Sequence, residues 1–246
     1  SIRVNGAPFM VTMRTPGHDI ELVHGLLAAE GIVARAEDIA TARFPRNRFD
    51  VLEVRLAEGV APPHERARAT TTTASCGVCG TPTLDALRHD LPFDVAADDV
   101  RVSGATLLRL PGLLREAQRT FSATGGLHGV ALFEADGRLL VAREDVGRHN
   151  ATDKVLGWAL MNGRRPARGC VLMVSGRTSF ELAQKAALAG VPVLAGVSAP
   201  SSLAVDVAEA SGVTLAGFVR GDRMNLYAHA KRITLDDGNA LDFDTL

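Results

Sequence analysis

Short apolar runs alternate with turn residues through the first sixty positions. Residues 2–14 alternate weakly around Asn5-Gly6, a dipeptide typical of tight hairpin turns. A helically spaced apolar stripe follows from Ile20 and ends near Gly31. Two further alternating stretches occupy 39–44 and 49–56. This order predicts a small ββαββ unit.

The rest of the chain shows a pattern of longer helical stretches that alternate with strands. A helical stripe runs from Ser103 to about Phe121, and Pro111 is expected to kink or split it. Two strands over 128–134 and 138–143 come next. Three helix–strand pairs then follow, with helices over 148–162, 178–189 and 201–211 and strands over 169–174, 191–195 and 213–219. Such alternation predicts a mostly parallel sheet flanked by helices.

These patterns predict an α/β protein, α+β overall, in two units joined by a linker. The expected division is a small roll over 1–66, a linker over 67–99 and a ligand-binding unit over 100–246. Hydrophobic residues make up 46% and charged residues 22%, as in ordinary folded proteins. The net charge of −1 argues against binding nucleic acid or an anionic membrane through bulk charge. Since no apolar stretch approaches the ~20 residues of a bilayer span and no secretory signal is visible, a cytoplasmic location is expected.

Two of the three cysteines stand in the linker, in the pentapeptide Cys76-Gly77-Val78-Cys79-Gly80. Their spacing lets both sulfurs reach one ligand, one disulfide or each other, and the glycines let backbone amides approach and favour the thiolate. A zinc knuckle needs two more ligands, and a thioredoxin-type pair lacks other support. A nucleophilic or sulfur-carrying role is favoured. The third cysteine, Cys170, is expected to be a buried strand residue.

The first strand-to-helix turn of the larger unit carries charged side chains. At such a turn the free N–H groups and the helix dipole favour an anion. Arg148 and His149 are placed to add direct contacts to it. The alternative is that Glu144 and Asp145 merely cap the helix or pair with Arg148.

Two later turns of the same kind carry hydroxyls and glycine. Ser175 and Arg177 follow one strand, at the sheet edge where open α/β sheets bind ligands. Thr178 and Glu181 fit a capping box at the next helix start. Residues 198–202 supply further hydroxyls at a third helix start. Three such turns on one edge predict a phosphate-bearing ligand.

Arginines flank the turn that leaves the last parallel strand. Phe218 and Arg220 precede Gly221-Asp222, and Arg223 follows it. The arginines either form salt bridges with Asp222 or neighbouring acids, or recognise phosphate or a base together with the Phe218 ring.

Four segments, taken together, resemble the FdhD family of formate dehydrogenase accessory sulfurtransferases, and the resemblance covers nearly the whole chain. They are SCGVCG, EDVGRHNATDK, SGRTSFELAQKAALAGVPVLAGVSAPSSLAVDVAEASG and FVRGDRMNLY. The resemblance implies a ubiquitin-like β-roll followed by a cytidine-deaminase-like three-layer α/β/α domain. It also implies a cytoplasmic homodimer that passes sulfur from a cysteine desulfurase to the molybdenum cofactor before its insertion into formate dehydrogenase.

The family's functional residues carry over by position. Its persulfide-bearing cysteine falls on Cys76, with Cys79 as partner. Its contact segment for Mo-bis(molybdopterin guanine dinucleotide) maps onto Phe218, Val219, Arg220, Gly221, Asp222 and Arg223. The helix-start argument extends that site to Arg148, His149, Ser175 and Arg177, and a guanine nucleotide is expected to mimic the cofactor. Because no HxE precedes a PCxxC, neither catalytic zinc nor deamination is expected.

The hypothesis is therefore a sulfurtransferase in which Cys76 receives a sulfane sulfur as a persulfide and delivers it to the cofactor. Cys79 would tune the Cys76 thiolate, receive the persulfide in relay, or release sulfide by closing a disulfide. One rival is a cofactor-binding chaperone without sulfur transfer. A second is a zinc-binding regulatory protein that uses the CxxC loop.

Overall fold

The computed structural model describes residues 1–62 and 91–234. The first range holds a four-stranded sheet of order β2-β1-β4-β3 with one helix against it. Its elements are β1 (Ile2–Val4), β2 (Ala7–Met10), α1 (Asp19–Ala29), a 3-10 turn (Ala36–Asp38), β3 (Ile39–Arg43) and β4 (Leu52–Leu56). Asn5 and Gly6 form the first turn with φ of 49° and 84°. The predicted ββαββ order is confirmed.

The second range is built on a six-stranded sheet of order β11-β10-β9-β8-β6-β7. A short pair, β5 (Val102–Ser103) with β12 (Ile233–Thr234), lies beside it. The sheet strands are β6 (His128–Glu134), β7 (Leu139–Asp145), β8 (Cys170–Val174), β9 (Val193–Gly196), β10 (Thr214–Arg220) and β11 (Arg223–Ala228). The helices are α2 (Gly104–Ala117), α3 (Arg119–Thr124), α4 (Arg148–Met161), α5 (Phe180–Leu188) and α6 (Ser202–Ser211).

The prediction of a mostly parallel sheet is wrong. Only β8–β9 and β9–β10 are parallel pairs in this sheet, whereas β6 lies antiparallel to both β7 and β8, and β11 is antiparallel to β10. Tight hairpins cause the difference, because β6 and β7 join at Asp136-Gly137 and β10 and β11 join at Gly221-Asp222. The sheet is mixed, with its parallel strands in the centre.

The break in the first helix of this unit falls at Gln118, not at Pro111. Pro111 lies inside α2, and the chain leaves helical geometry at Gln118, whose ψ is 78°. The Glu144 carboxylate accepts hydrogen bonds from the backbone N–H groups of Thr120 and Phe121 at 2.8 and 2.7 Å. It therefore caps α3 as a new helix.

The six-stranded sheet is covered on both faces. Leu132, Leu172 and Leu194 point to the face that α4, α5 and α6 cover, and Phe133 and Met173 point to the opposite face, which α2 covers. All five side chains are fully buried. Cys170 begins β8 as a buried residue, and burial raises the pKa of its thiol to about 11, so this sulfur is structural as predicted. In the described residues, no helix is long and apolar enough to cross a bilayer.

Helix α1 of the small sheet packs directly on α4 of the large one. A Cβ placed on Gly25 would lie 1.9 Å from the Asp153 carbonyl oxygen, and one on Gly157 would lie 1.8 Å from that of Glu21. Two glycines therefore allow the helix backbones to touch. The predicted linker boundaries at 66 and 67 lie outside the described residues and stay predictions.

Candidate functional site at the edge of the large sheet

The predicted ligand-binding turns lie along one edge of the six-stranded sheet. The parallel strands β8, β9 and β10 end there. Since β6 is antiparallel to β8, its first residue, His128, lies at the same edge. Ser175 closes this corner, because its backbone N–H donates to the Gly129 carbonyl and its Oγ accepts from the Gly129 N–H, both at 2.9 Å.

Both acidic residues of the turn before α4 have partners other than Arg148. Asp145 accepts a hydrogen bond at 3.0 Å from the N–H of Gly147, the residue that precedes α4, as the capping alternative expects. Glu144 caps α3, and Asp145 forms a buried ion pair with Lys154 at 2.7 Å. Neither acid pairs with Arg148. Within residues 1–62 and 91–234 Arg148 forms no salt bridge, and its buried Nε has no hydrogen-bond partner. The Arg148 guanidinium is therefore available to an anion at this edge.

Three basic side chains occupy this corner of the edge. The pKa of His128 is lowered first by burial and then by the charges of Arg148 and His149. Because its pKa lies below the usual value, His128 is mostly neutral at physiological pH, so Arg148 supplies the fixed positive charge.

His149 is partly engaged within the protein. Its Nε2 lies 3.1 Å from the Ser179 Oγ and 3.7 Å from Glu181 Oε2. The neighbouring His149 ring lowers the pKa of Glu181 to about 2, and Ser179 adds to that effect. His149 therefore positions the start of α5 as well as facing the edge.

The predicted capping box of Thr178 and Glu181 is wrong. Helix α5 begins at Phe180 after Ser179, so Glu181 lies too early in the helix to pair with Thr178. Thr178 instead forms a bridge with Pro200, and its buried Oγ1 has no partner among the described residues. The later hydroxyl turn is structural at Ser201, whose side chain caps α6 by accepting from the Ala204 N–H.

The arginine-flanked turn ends β10 at the same edge. Phe218 has a φ of 51°, a left-handed conformation that is uncommon for a bulky residue, and its N–H donates to the Ser198 carbonyl at 3.2 Å. Val219 is fully buried, which anchors the turn. The Arg220 guanidinium carbon lies 5.7 Å from the centre of the Phe218 ring.

Arg220, Asp222 and Arg223 are exposed around Gly221, whose φ is 63°. In the described part of the chain neither arginine forms a salt bridge with Asp222 or another acid, so this alternative is not observed. Arg177 is likewise exposed, beyond the end of β8. Since β10 and β8 are separated by one strand, the two turns stand roughly 10 Å apart along the edge.

Sequence reasoning missed a cavity of about 490 Å³ at this edge, beside Ser175 and His128. Gln118 and Phe121 form part of its wall. The loop Gly125-Gly126 before β6 was the available signal, because paired glycines allow a ligand to approach the backbone.

The cysteines of the predicted sulfur site, Cys76 and Cys79, lie outside the described residues. Across 1–62 and 91–234, no three His, Cys, Asp or Glu side chains come together as a metal site.

The fold and the side chains along its edge define a mixed α/β protein with a basic sheet edge. Residues 1–234 match the model of the FdhD/NarQ family, and the chain therefore belongs to that family.

Relatives named Sulfur carrier protein FdhD share much of its sequence. The one from Mycolicibacterium paratuberculosis is 55% identical over 240 residues, covering 94% of this chain and 88% of the relative. The one from Anaeromyxobacter dehalogenans is 46% identical over 252 residues, covering 95% and 86%. A crystal structure assigned as a formate dehydrogenase accessory protein from Desulfotalea psychrophila superposes with a TM-score of 0.73 at 25% identity, covering 94% of this chain and 86% of that one.

Proposed function

We propose that this protein is a sulfurtransferase that accepts persulfide sulfur from a cysteine desulfurase on Cys76 and transfers it to Mo-bis(molybdopterin guanine dinucleotide) for formate dehydrogenase. The observation that carries the proposal is the Cys76–Cys79 pair in a chain whose relatives are named sulfur carriers. Two thiols three residues apart suit a sulfur that must be taken up and then released.

Loading is a thiol–persulfide exchange. The Cys76 thiolate attacks the outer sulfur of the desulfurase persulfide, the sulfur–sulfur bond of the donor breaks, and the desulfurase cysteine leaves as a thiolate. Cys76 then carries the persulfide. No electron is gained or lost overall, so this step needs no further reactant.

Release as sulfide requires two electrons, which Cys79 can supply. The Cys79 thiolate attacks the inner sulfur of the Cys76 persulfide, hydrosulfide leaves, and a Cys76–Cys79 disulfide forms. The hydrosulfide goes to the cofactor, and a cellular dithiol restores the reduced pair. Gly77, between the two cysteines, and Gly80, which follows Cys79, lower the steric cost of this approach.

The basic edge of the large sheet fits the cofactor as a substrate. The cofactor carries pyrophosphate groups, and the edge offers the unpaired Arg148 together with the exposed Arg177, Arg220 and Arg223. Arginine forks bind phosphate oxygens in pairs, and the start of α4 adds a favourable dipole. In this proposal Phe218 offers a ring face to a base, and Ser175 and His149 line the edge between the turns.

The finer fold assignment and the setting belong to the same proposal. The small sheet with α1 would be a ubiquitin-like roll, and the large sheet a cytidine-deaminase-like domain. The protein would act as a homodimer in the cytoplasm, with a cysteine desulfurase as sulfur donor and formate dehydrogenase as destination.

The test is intact mass and peptide mapping of the reduced protein after incubation with a cysteine desulfurase and cysteine. The proposal expects a gain of one sulfur that dithiothreitol removes and that maps to Cys76. Cys76→Ala should not gain it. Cys170→Ala is the matched control, because that buried thiol should not affect loading.

Normal loading of Cys76→Ala would contradict the proposed role of this residue. No gain on the wild type, with a desulfurase shown to be active in parallel, would instead favour a cofactor-binding chaperone. Stoichiometric zinc on the CxxC pair would likewise oppose the sulfur-carrying role.

A further inference from the structure

One face of the small sheet is uncovered in the part of the chain that the structure describes. In β4 every second residue is buried against the core that contains α1, and Glu53 and Arg55 alternate with these on the opposite face. The open sheet face consists of the exposed residues Arg3, Thr41, Arg43, Glu53 and Arg55. Since α1 lies between the small sheet and α4, this face points away from the large unit and is separate from the edge of the large sheet.

The charges on the open sheet face are mostly positive. The strand register places Glu53 beside Arg3 in one neighbouring strand and beside Arg43 in the other. Arg55 pairs with Thr41 in the next row. Three arginines and one glutamate leave this face with a formal charge of +2, whereas the whole chain carries −1.

The three arginines have no acidic partner among the described residues. None of them forms a salt bridge there, although Glu53 is the cross-strand neighbour of two. Arg3 donates from Nε and Nη2 to the Gly6 carbonyl at 3.2 and 2.7 Å, which satisfies donors but leaves the charge unmatched. Carboxylates of a bound partner would supply the missing counter-charges.

The open sheet face is also concave. A groove of about 550 Å³ lies beside the Asn5-Gly6 turn, and Arg43, Glu53 and Arg55 are among the residues that line it. Two arginines therefore border one space. Grooves of this kind hold the anchoring side chains of a protein partner, and arginine is one of the residues enriched at such contacts.

The arrangement of the charges favours an acidic protein surface over other anions. Nucleic acid and anionic lipid present rows of phosphates, which Glu53 in the middle of the arginines would repel. The residues that form this face include no aromatic ring on which a base would stack. A protein surface can place carboxylates opposite the arginines and a hydrogen-bond donor opposite Glu53. A second copy of this chain would oppose one +2 face with another, so self-association through this face is disfavoured.

We propose that the open sheet face docks an acidic surface of the cysteine desulfurase that supplies the sulfur. The proposal rests on the proposed function, in which this enzyme is the sulfur donor. The cofactor is assigned there to the edge of the large sheet, so donor and acceptor would bind to different units of the chain.

The test measures the rate of sulfur loading of the reduced protein as the desulfurase concentration is varied. The double variant Arg43→Glu with Arg55→Glu reverses two charges of the face. We expect it to need about tenfold more desulfurase for half-maximal loading, because like charges then meet at the contact. The rate at saturation should equal that of the wild type, because Cys76 is unchanged. Biolayer interferometry with the immobilised desulfurase should show the same loss of affinity.

The double variant Arg168→Glu with Lys231→Glu is the matched control. Both residues are exposed on the large unit and form no salt bridge with the described residues, so net charge changes equally away from the open sheet face. Its loading curve should match that of the wild type. Equal weakening in the two double variants would show that overall charge attracts the desulfurase, and would overturn the proposal.

Salt dependence gives a second readout with a milder change. The wild type should need more desulfurase for half-maximal loading as sodium chloride increases, and the variant Arg43→Gln with Arg55→Gln should show a smaller increase. This neutral pair covers the case in which a glutamate at position 43, opposite Glu53, disturbs the fold. The same salt dependence in the wild type and the neutral variant would overturn the proposal.

The outcomes separate this inference from the proposed function. A folded reversal variant with a wild-type loading curve overturns only the docking surface, as does a desulfurase that does not bind the wild type. Wild-type protein that binds the desulfurase through this face and gains no sulfur rejects only the proposed sulfur transfer. Binding of a single-stranded RNA oligonucleotide that the charge reversal abolishes, with loading unchanged, would assign the face to nucleic acid and overturn the proposal.

Discussion

The small unit and the edge of the large sheet differ in whether their buried polar groups have partners among the described residues. In the small unit Asn5 Oδ1 accepts from the Leu56 N–H. Asp19 Oδ1 has no hydrogen-bond partner in the part of the chain that the structure describes, and it forms an ion pair with Arg14. Among the described residues, the other buried polar atoms without a partner are Gln118 Nε2, Arg148 Nε and Thr178 Oγ1. All three lie at the edge of the large sheet. Buried polar groups are rarely left unpaired, so their clustering distinguishes the proposed binding edge from the small unit that supports it.

The largest expected effect comes from removing one partner of a buried ion pair. Lys154 and Asp145 are 1% and 0% exposed, and the Lys154 Nζ also donates to the Thr15 carbonyl. Lys154→Met should lower the free energy of unfolding by about 3–5 kcal/mol, because Asp145 stays buried without its cation. Arg148→Met should change it by no more than about 1 kcal/mol, since Arg148 forms no salt bridge with the residues that the structure describes.

Urea unfolding of both variants checks this contrast. Equal losses would show that Arg148 is as firmly bound within the fold as Lys154, and Arg148 would no longer count as an unpaired group of the edge.

The second prediction concerns the glycine contact that joins the two sheets. Gly157→Ala would place a Cβ 1.8 Å from the Glu21 carbonyl oxygen. The helices must then separate, and the free energy of unfolding should fall by about 3 kcal/mol. Gly112→Ala in α2, where a Cβ meets nothing within 4 Å, should instead stabilise by roughly 0.5–1 kcal/mol. The melting temperatures of the two variants, measured by thermal unfolding, should therefore shift in opposite directions. A shift in the same direction would contradict the prediction.

The smallest expected effect concerns the contact between His149 and Glu181 at the edge of the large sheet. The contact with His149 lowers the pKa of Glu181 from 4.5 to about 2, so its stabilisation is present above pH 4.5 and is lost as the pH falls toward 2. The difference in unfolding free energy between wild type and Glu181→Gln should therefore decrease as the pH falls from 4.5 to about 2. Because both side chains are about one-third exposed, the full difference should not exceed about 1 kcal/mol.

Glu58→Gln, at an exposed position of the small unit, serves as the control for the loss of one carboxylate. A difference between wild type and Glu181→Gln that stays constant with pH would remove the His149–Glu181 pair from the description of this edge.

Local patterns were sufficient to predict most helices and strands. The Asn5-Gly6 hairpin and the strand–helix alternation after 148 are encoded by neighbouring residues, and both are confirmed. The helix break at Gln118 was not predictable in this way, because the capping carboxylate comes from Glu144, more than twenty positions along the chain. Strand β11 was missed since it is an edge strand with partly exposed side chains on both faces.

The same limit applies to the candidate site. Arg148, Ser175 and Arg220 follow strands, so the sequence places them at the edge. The unpaired state of Arg148 depends on Glu144 and Asp145 having partners elsewhere. The position of the Gln118 side chain depends on Gly129 in β6, because a Cβ at residue 129 would collide with it. Contacts between remote segments determine both features, and no local pattern records them.

Loading of sulfur at Cys76 and its delivery at the basic edge are separate steps of the proposed function, and labelled sulfur distinguishes them directly. The protein is loaded with radioactive sulfur by a desulfurase and incubated with Mo-bis(molybdopterin guanine dinucleotide), and the cofactor is then extracted and counted. Wild-type protein should label the cofactor, whereas a variant with Arg220→Ala and Arg223→Ala should load normally and keep the label on Cys76. Equal labelling by this variant, or no labelling by the wild type, would contradict delivery at this edge.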